Sequence, residues 1–168
     1  MTRVLVTGGA GGFGRALVPR LIGRGYTVRI MSRRAAPAGS AAEWAQADLE
    51  SGVGLAAALA GVDVVVHAAS SPAMHTHQVD VEGTRRLLRA AQAAGVAHLA
   101  YISIVGIDNS PFAYYRHKLA AEALVVESPL PWILRATQFH TLIDTFLRGF
   151  DRLPLFCSQP ICTSNRST

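Results

Sequence analysis

The sequence predicts an α/β protein built as a doubly wound parallel sheet with helices on both faces. Short apolar, β-branched runs alternate with alanine-rich stretches of helical spacing, which is typical of strand-helix-strand units. The run 62–66 is almost continuously apolar, as expected of a central strand that is covered on both sides. The first strand also leads into a glycine-rich turn and then an amphipathic helix.

The strand pattern recurs six times and the helical pattern five times. We expect strands at 3–7, 27–31, 44–47, 62–67, 99–103 and 132–134. We expect helices at 12–25, 52–60, 74–94, 113–127 and 138–150. Gly25 and Gly95 each lie between a helix and the next strand, where a residue with positive φ is favoured. Residues 1–150 are therefore predicted to form one domain. Residues 151–168 show neither helical nor strand periodicity and are predicted to form an irregular tail.

The composition restricts the class of protein. The 168 residues fit one domain, and 50% apolar with 16% charged residues excludes a disordered chain. The net charge of +5 comes from scattered arginines without an interleaved aromatic stripe, so we expect no nucleic-acid partner. No apolar run approaches the roughly 20 residues of a membrane span, and the first strand leaves no room for a signal peptide, so a cytoplasmic location is expected. Cys157 and Cys162 lack histidines at metal spacing, so we expect no metal site.

The octet Thr-Gly-Gly-Ala-Gly-Gly-Phe-Gly at 7–14 is the most informative motif. A strand that ends in glycines and feeds a helix leaves backbone N–H groups unpaired at the positive end of the helix dipole, an arrangement that suits a pyrophosphate. This predicts a Rossmann-type nucleotide-binding fold. The residues expected to contact the dinucleotide here are Thr7, Gly8, Gly11, Gly12, Phe13 and Gly14.

The end of the second strand predicts which dinucleotide is bound. An acidic residue at this point would bind the ribose 2′-hydroxyl of NAD, but the sequence has Ser32, Arg33 and Arg34 instead. Guanidinium and hydroxyl groups suit a 2′-phosphate, so NADP(H) is preferred over NAD(H). The alternative is that both arginines are solvated loop charges.

Two further strand ends are expected to line the cofactor. Asp48 and Leu49 follow the third strand, where the carboxylate either accepts a hydrogen bond from the adenine amine or caps the helix near Gly52. The small residues Ala68, Ala69 and Ser70 follow the fourth strand and let the backbone lie against a ribose. His67, which precedes them in an apolar run, is expected to be a hydrogen-bonded core residue.

A candidate catalytic group lies at the start of the fourth helix. Lys118 is the only lysine among 16 basic residues, and Tyr114 lies four residues earlier, on the same helical face. An ammonium near a phenol lowers the phenol pKa, which makes the phenol a usable acid or base. Ser103, at the end of the fifth strand, would polarise a substrate oxygen, and Lys118 would hold the nicotinamide ribose. The alternative is that Tyr114 and Lys118 are ordinary surface residues.

Together these motifs resemble the short-chain dehydrogenase/reductase superfamily, and most closely its extended and atypical branches, which include NmrA-like NAD(P)-binding proteins. The resemblance covers roughly residues 1–150 and rests on the glycine octet, on Asp48-Leu49, Val66-His67-Ala68-Ala69 and Tyr101-Ile102-Ser103, and on the segment 114–118. It implies a Rossmann fold, a bound NAD(P), the three catalytic roles given above, a small-molecule substrate and a homodimer through helices 74–94 and 113–127.

Three features depart from the family pattern. Ile104 replaces a second serine, and the spacing from Ser103 to Tyr114 is short for the extended branch. We also expect no substrate lobe of the kind that family members carry at the carboxyl end. The sequence therefore favours an NADP-dependent oxidoreductase acting on a small carbonyl or alcohol. The alternatives are a non-catalytic, redox-sensing NADP(H)-binding regulator or a truncated nucleotide-binding fragment; a sugar-nucleotide epimerase ranks behind them. Thr137 and Gln138 either contact the cofactor or, in the case of Thr137, cap the next helix.

Overall fold

A single parallel sheet organises the protein, for which the computed structural model describes residues 1–72 and 75–137. Six strands lie in the order β3-β2-β1-β4-β5-β6, and every pair is parallel. They are β1 (Arg3–Thr7), β2 (Thr27–Ser32), β3 (Glu43–Gln46), β4 (Val64–His67), β5 (His98–Ile104) and β6 (Trp132–Ala136). All six predicted strands are confirmed, with ends that move by one or two residues. The predicted helix 138–150, the tail and both cysteines lie outside the described residues.

Four α-helices connect the strands: α1 (Gly12–Gly23), α2 (Leu55–Leu59), α3 (Gly83–Ala93) and α4 (Ala113–Val126). Gly25 and Gly95 have φ values of +85° and +72°, as predicted from their positions before strands. Helix α2 is shorter than expected because Gly52 and Gly54 are also left-handed, at +82° and +80°, and delay the first helical turn. Among the helices of the described segments, none combines the length and the apolarity needed to cross a bilayer.

The region predicted as one helix over 74–94 contains a π-helical segment, His77–Glu82, directly before α3. The Thr84 hydroxyl donates to the Asp80 carbonyl, a local bond that competes with the regular helical ladder. Asp80 and Val81 are buried in this segment. The expectation of a continuous α-helix was therefore wrong, and the wider turn brings a carboxylate into the interior.

Both faces of the sheet are covered, which confirms the doubly wound arrangement. On one face Leu5, Val65 and Leu99 belong to a large cluster with residues of α2, α3 and α4. On the other face Val4, Val6 and Ile30 pack with Val18 of α1. Adjacent residues of β1 thus point to opposite faces, and the central strand is apolar throughout because it has no solvent-facing side.

The strand order reverses at β1, which pairs with β2 on one side and β4 on the other. In that register Thr7, the last residue of β1, lies beside Met31 and His67. The carboxyl ends of β1 and β4 therefore diverge into connections on opposite faces of the sheet. Ligands of open α/β folds bind in the crevice that such a reversal leaves.

We predict that Gly14→Ala destabilises the fold by about 1–3 kcal/mol, because a Cβ on Gly14 would collide with the backbone of Gly9. Gly23→Ala is the matched control in the same helix, since nothing lies within 4 Å of the Cβ that it would add. It should be neutral or stabilising by up to about 1 kcal/mol. Chemical denaturation of both variants measures the difference, and equal stabilities would contradict the packing argument.

Candidate dinucleotide site

The glycine turn lies at the carboxyl edge of the sheet and leaves its backbone bare. Gly8 has φ +70°, and a Cβ there would lie 2.8 Å from both the Ala68 carbonyl oxygen and the Ala69 nitrogen. The Gly11 N–H donates to the Gly8 carbonyl at 2.9 Å, which closes the turn directly before α1. No side chain caps the first turn of α1. The cradle therefore fits a pyrophosphate, whose oxygens need close main-chain donors.

The side chain of Thr7 faces the interior instead of the cleft. Its hydroxyl oxygen accepts the N–H groups of Ala68 and Ala69, each at 3.1 Å, and lies 2.7 Å from Nδ1 of His67. With both lone pairs used, the hydroxyl must donate its proton to Nδ1. Thr7 is 0% exposed, so its side chain does not make the predicted contact with a cofactor.

His67 continues this buried chain of hydrogen bonds. Because Nδ1 accepts from Thr7, the proton is on Nε2, which donates to the Thr84 hydroxyl at 2.9 Å. Burial, with a smaller contribution from the charge of Lys118, lowers the pKa of His67 to about 3. His67 is thus a neutral, hydrogen-bonded core residue, as the sequence predicted.

A cleft opens between the glycine turn and the ends of β2, β3 and β4. Most predicted cofactor residues from these strand ends line it. The lining residues used below are Gly8, Ser32, Arg33, Asp48, Leu49, Ala69 and Ser70. Arg34 and Lys118 are not among the residues that line this cleft. The structure therefore joins four separate segments of the predicted site around one space.

The end of β2 presents one cation to the cleft. The Ser32 hydroxyl accepts the Arg34 N–H at 3.1 Å, and the Gln46 amide donates to the Arg33 carbonyl at 3.0 Å, so the turn is held from two sides. Within residues 1–72 and 75–137 the Arg33 guanidinium donates no hydrogen bond. Its charge is available for an anionic group in the cleft.

Asp48 caps a turn and not a helix. Its carboxylate accepts the Ser51 hydroxyl at 2.9 Å and the backbone N–H groups of Glu50 and Ser51 at 3.1 and 3.3 Å, whereas α2 begins only at Leu55. Burial opposes ionisation, but these bonds and the charge of Arg33 hold the Asp48 pKa below its usual value. The capping of a helix near Gly52 was therefore wrong, while the carboxylate does line the cleft.

Tyr114, at the start of α4, contacts a residue that follows β4. Its phenol oxygen lies 3.0 Å from the Ser70 hydroxyl, and the structure records no hydrogen bond from it to Ser103. Burial raises the pKa of Tyr114, and the negative charge of Asp80 raises it further. The expectation that Lys118 lowers this pKa was wrong.

Lys118 is directed into the protein. Its side chain is 5% exposed, and Nζ donates to the Ile102 carbonyl at 2.9 Å and lies 4.4 Å above the Tyr101 ring. Nζ is also 4.0 Å from a carboxylate oxygen of Asp80. Burial lowers the Lys118 pKa, while Asp80 and Glu122 oppose that shift. The ammonium thus holds α4 to β5 next to Ser103.

Ser103 is buried at the end of β5, and its hydroxyl has no hydrogen-bond partner in the described part of the chain. The Tyr101 hydroxyl, two residues earlier on the same strand, is also buried without a partner there. A buried hydroxyl without a partner costs free energy, so such groups are often found where a ligand supplies the missing bond.

Sequence analysis missed Asp80, the carboxylate that connects this site. It is 1% exposed, accepts the Ser70 hydroxyl at 2.6 Å and the Ser71 N–H at 3.0 Å, and approaches Lys118. The available signal was an acidic residue between two valines in a stretch read as helix. An acid with apolar neighbours three residues before a Gly-Thr pair is a candidate for burial, but spacing alone does not say what it contacts. Gln138, and with it the choice between the two roles of Thr137, lies outside the described residues.

Comparison with known proteins places these features in a family. A family model described as NAD(P)H-binding matches residues 8–141. A 3 beta-hydroxysteroid dehydrogenase/Delta 5-->4-isomerase of Mycobacterium tuberculosis is 37% identical over 88% of this chain and 52% of its own length. A photosystem II assembly factor of Synechocystis is 34% identical over 65% of this chain and 36% of its own length.

A crystal structure gives the same relation at the level of the fold. A short-chain dehydrogenase/reductase superfamily protein of Agrobacterium tumefaciens with bound NAD superposes with a TM-score of 0.68 and 34% identity. The match covers 79% of this chain and 48% of that one. The chain spans about a third to a half of the length of the curated relatives named above, at 36% and 52%.

We predict that His67 makes the fold sensitive to acid. The pKa of His67 is 6.5 in the unfolded chain and about 3 in the folded protein, so only the unfolded chain binds the proton between these values. The stability that is present above pH 6.5 is therefore lost as the pH falls from 6.5 towards 3. The loss at pH 5 should be about 2 kcal/mol relative to pH 7. Urea denaturation at the two pH values measures it.

His67→Gln should reduce this dependence on pH, whatever it does to the stability at pH 7. His98→Gln is the control, because His98 is exposed at the start of β5. An unchanged difference between pH 7 and pH 5 in His67→Gln would show that another group causes the acid sensitivity.

Proposed function

This chain belongs to the NAD(P)H-binding proteins of the short-chain dehydrogenase/reductase superfamily, and from this premise we propose that it is an NADP-dependent oxidoreductase acting on a small carbonyl or alcohol. One observation carries the proposal. A bare glycine cradle at the strand-order reversal opens onto a cleft in which Ser70 holds Tyr114, and Lys118 and Ser103 lie at the neighbouring strand. This arrangement supports a dinucleotide, an acid/base group and a substrate-polarising hydroxyl at one edge of the sheet.

The proposed binding of the cofactor uses main chain and charge. The N–H groups of the turn from Gly8 to Gly14 would hold the pyrophosphate, and Arg33 would pair with a 2′-phosphate. The Asp48 carboxylate would accept a hydrogen bond from the adenine amine. The nicotinamide, when bound, supplies or accepts a hydride.

Tyr114 is the proposed acid/base group, since its phenol bonds to Ser70 at the edge of the cleft, at the carboxyl end of β4. Ser103 would donate its free hydroxyl to the substrate oxygen, which places charge stabilisation where the carbon–oxygen bond changes order. The Lys118 ammonium holds α4 against β5 beside Ser103. Its expected contact with the nicotinamide ribose stays a part of the proposal, although Lys118 does not line the cleft. A cytoplasmic location and a homodimer through the π-helical segment, α3 and α4 are further parts of the proposal.

A second function is a regulator that binds NADP(H) without turnover. Two observations favour it: the Tyr114 pKa is raised, not lowered, and one relative is named as an assembly factor and not as an enzyme. In this case calorimetry would detect NADPH binding, while no member of a panel of carbonyl compounds and alcohols would be turned over. Absence of nucleotide binding would exclude both functions.

We predict that Arg33→Gln weakens NADPH binding about 10- to 100-fold and leaves NADH binding nearly unchanged, because only NADPH has the phosphate that a charge-assisted bond would recognise. Isothermal calorimetry with the two nucleotides measures the ratio. Arg20→Gln, a change of equal charge on α1, is the control and should preserve the preference. Equal losses for NADPH and NADH in Arg33→Gln would refute the assigned role.

We predict that Tyr114→Phe lowers turnover of a carbonyl panel with NADPH by about 10²- to 10⁴-fold, since the phenyl ring has no proton to give. NADPH affinity should remain close to that of the unmodified protein. Tyr26→Phe is the matched control, because Tyr26 lies between α1 and β2, away from the cleft. Activity that survives in Tyr114→Phe would mean that a different group transfers the proton.

A further inference from the structure

Asp80 is a buried carboxylate that the reaction proposed above does not use. It lies in the π-helical segment and is 1% exposed. Its two oxygens accept the Ser70 hydroxyl and the Ser71 N–H, and the nearest cation, Lys118, is 4.0 Å away. Burying a charge in this way is costly unless hydrogen bonds compensate for the lost water.

The hydrogen bonds around Ser70 have one consistent direction. A carboxylate has no proton, so the Ser70 hydroxyl must donate to Asp80, at 2.6 Å. Ser70 then has only a lone pair for Tyr114, at 3.0 Å, and the phenol must donate. The three side chains therefore form a directed chain from Tyr114 through Ser70 to Asp80.

We infer that Asp80 is a positioning residue: it orients the Ser70 hydroxyl, and Ser70 in turn fixes the phenol of Tyr114 at the edge of the cleft. This inference rests on the proposed function for its catalytic meaning, but its geometric content does not. Ser70 is exposed and follows the end of β4, so without Asp80 its hydroxyl is free to rotate. A phenol held by a rotating partner loses the fixed placement on which proton transfer depends.

The same carboxylate also reaches the other half of the Tyr-Lys pair. Its oxygen Oδ1 accepts the hydrogen bond from Ser70, and the same oxygen lies 4.0 Å from Lys118 Nζ. Asp80 thus connects Tyr114 and Lys118, whose side chains diverge although they lie on one helical face. The π-helical segment makes this possible, because a regular helix over the same residues would change the direction of the Asp80 side chain.

A titration of Tyr114 tests the inference without any turnover. Ultraviolet difference spectra of the protein without ligand follow tyrosine ionisation, and subtraction of the Tyr114→Phe spectrum assigns the signal. Asp80→Asn should move the Tyr114 transition to lower pH by on the order of one unit, because a negative charge is removed and the freed Ser70 hydroxyl can donate to the phenolate. The other titratable groups that face this site are Tyr101 of β5 and Tyr115 and Lys118 of α4.

A double-mutant cycle separates action through Ser70 from simple charge. In the Ser70→Ala background, Asp80→Asn should shift the Tyr114 transition clearly less than it does when Ser70 is present. Equal shifts in both backgrounds would overturn the inference. Glu82→Gln is the control: it removes a charge from the same segment, where Glu82 pairs with Arg85, and should leave the transition in place.

If Asp80→Asn does not fold, the comparison of Ser70→Ala with Ser70→Thr decides. Threonine keeps the hydroxyl and should retain the transition of the unmodified protein, while alanine, which cannot bond to the phenol, should shift it. Matching transitions in the two variants would refute the role of Ser70.

With a substrate from the panel, Asp80→Asn should lower kcat about tenfold or more with KM nearly unchanged. If the Tyr114 transition shifts as expected but no substrate is turned over, the proposed enzyme is refuted and the positioning role remains. If substrates are turned over but the Tyr114 transition does not shift, the positioning role is refuted and the proposed enzyme remains.

Discussion

The close approach of the β1–α1 turn to the end of β4 is the constraint on which the site depends. Gly8 can lie against the Ala68–Ala69 peptide only because it has no Cβ, and the Thr7 hydroxyl binds that same stretch of backbone from the interior. The residue that follows is Ser70, so the distance between the phosphate cradle and the Tyr114 partner is set by main-chain contacts. Loss of this contact would separate the two halves of the site even if each remained folded.

The sequence predicts the parts of this arrangement that depend on local patterns. Apolar β-branched runs predicted the strands, and the spacing of Gly8, Gly11 and Gly14 predicted the turn. Both predictions were possible because buried strands and tight turns directly restrict the residue types that they accept. The role of Asp80 was not predictable in this way. Its contacts come from residues ten positions earlier and from a helix more than thirty positions later, and they depend on a π-helical segment that has no clear sequence signature.

The Tyr114 pKa shows where spacing on a helix stops being informative. An i, i+4 pair shares a face, but spacing fixes only the Cβ positions, and the lysine stem is long enough to carry its ammonium elsewhere. Here the Ile102 carbonyl and the Tyr101 ring hold the Lys118 ammonium at β5. The charge that acts on Tyr114 is that of Asp80, which has the opposite sign. Tyr114 and Lys118 lie on one helical face as predicted, but Lys118 does not lower the pKa of Tyr114.

The charges around α4 extend this argument. Glu122, one turn after Lys118, is largely buried and accepts three hydrogen bonds from Arg135 of β6, the shortest at 2.6 Å. Arg135 also donates to Asp108 at 2.9 Å, so Lys118 and Arg135 stand against three carboxylates, those of Asp80, Asp108 and Glu122. An ionised Tyr114 would add a further negative charge to this region, and burial together with the charge of Asp80 raises the pKa of the phenol. An oxidised nicotinamide ring carries a positive charge, so a cofactor bound beside Tyr114, as proposed above, would favour the phenolate.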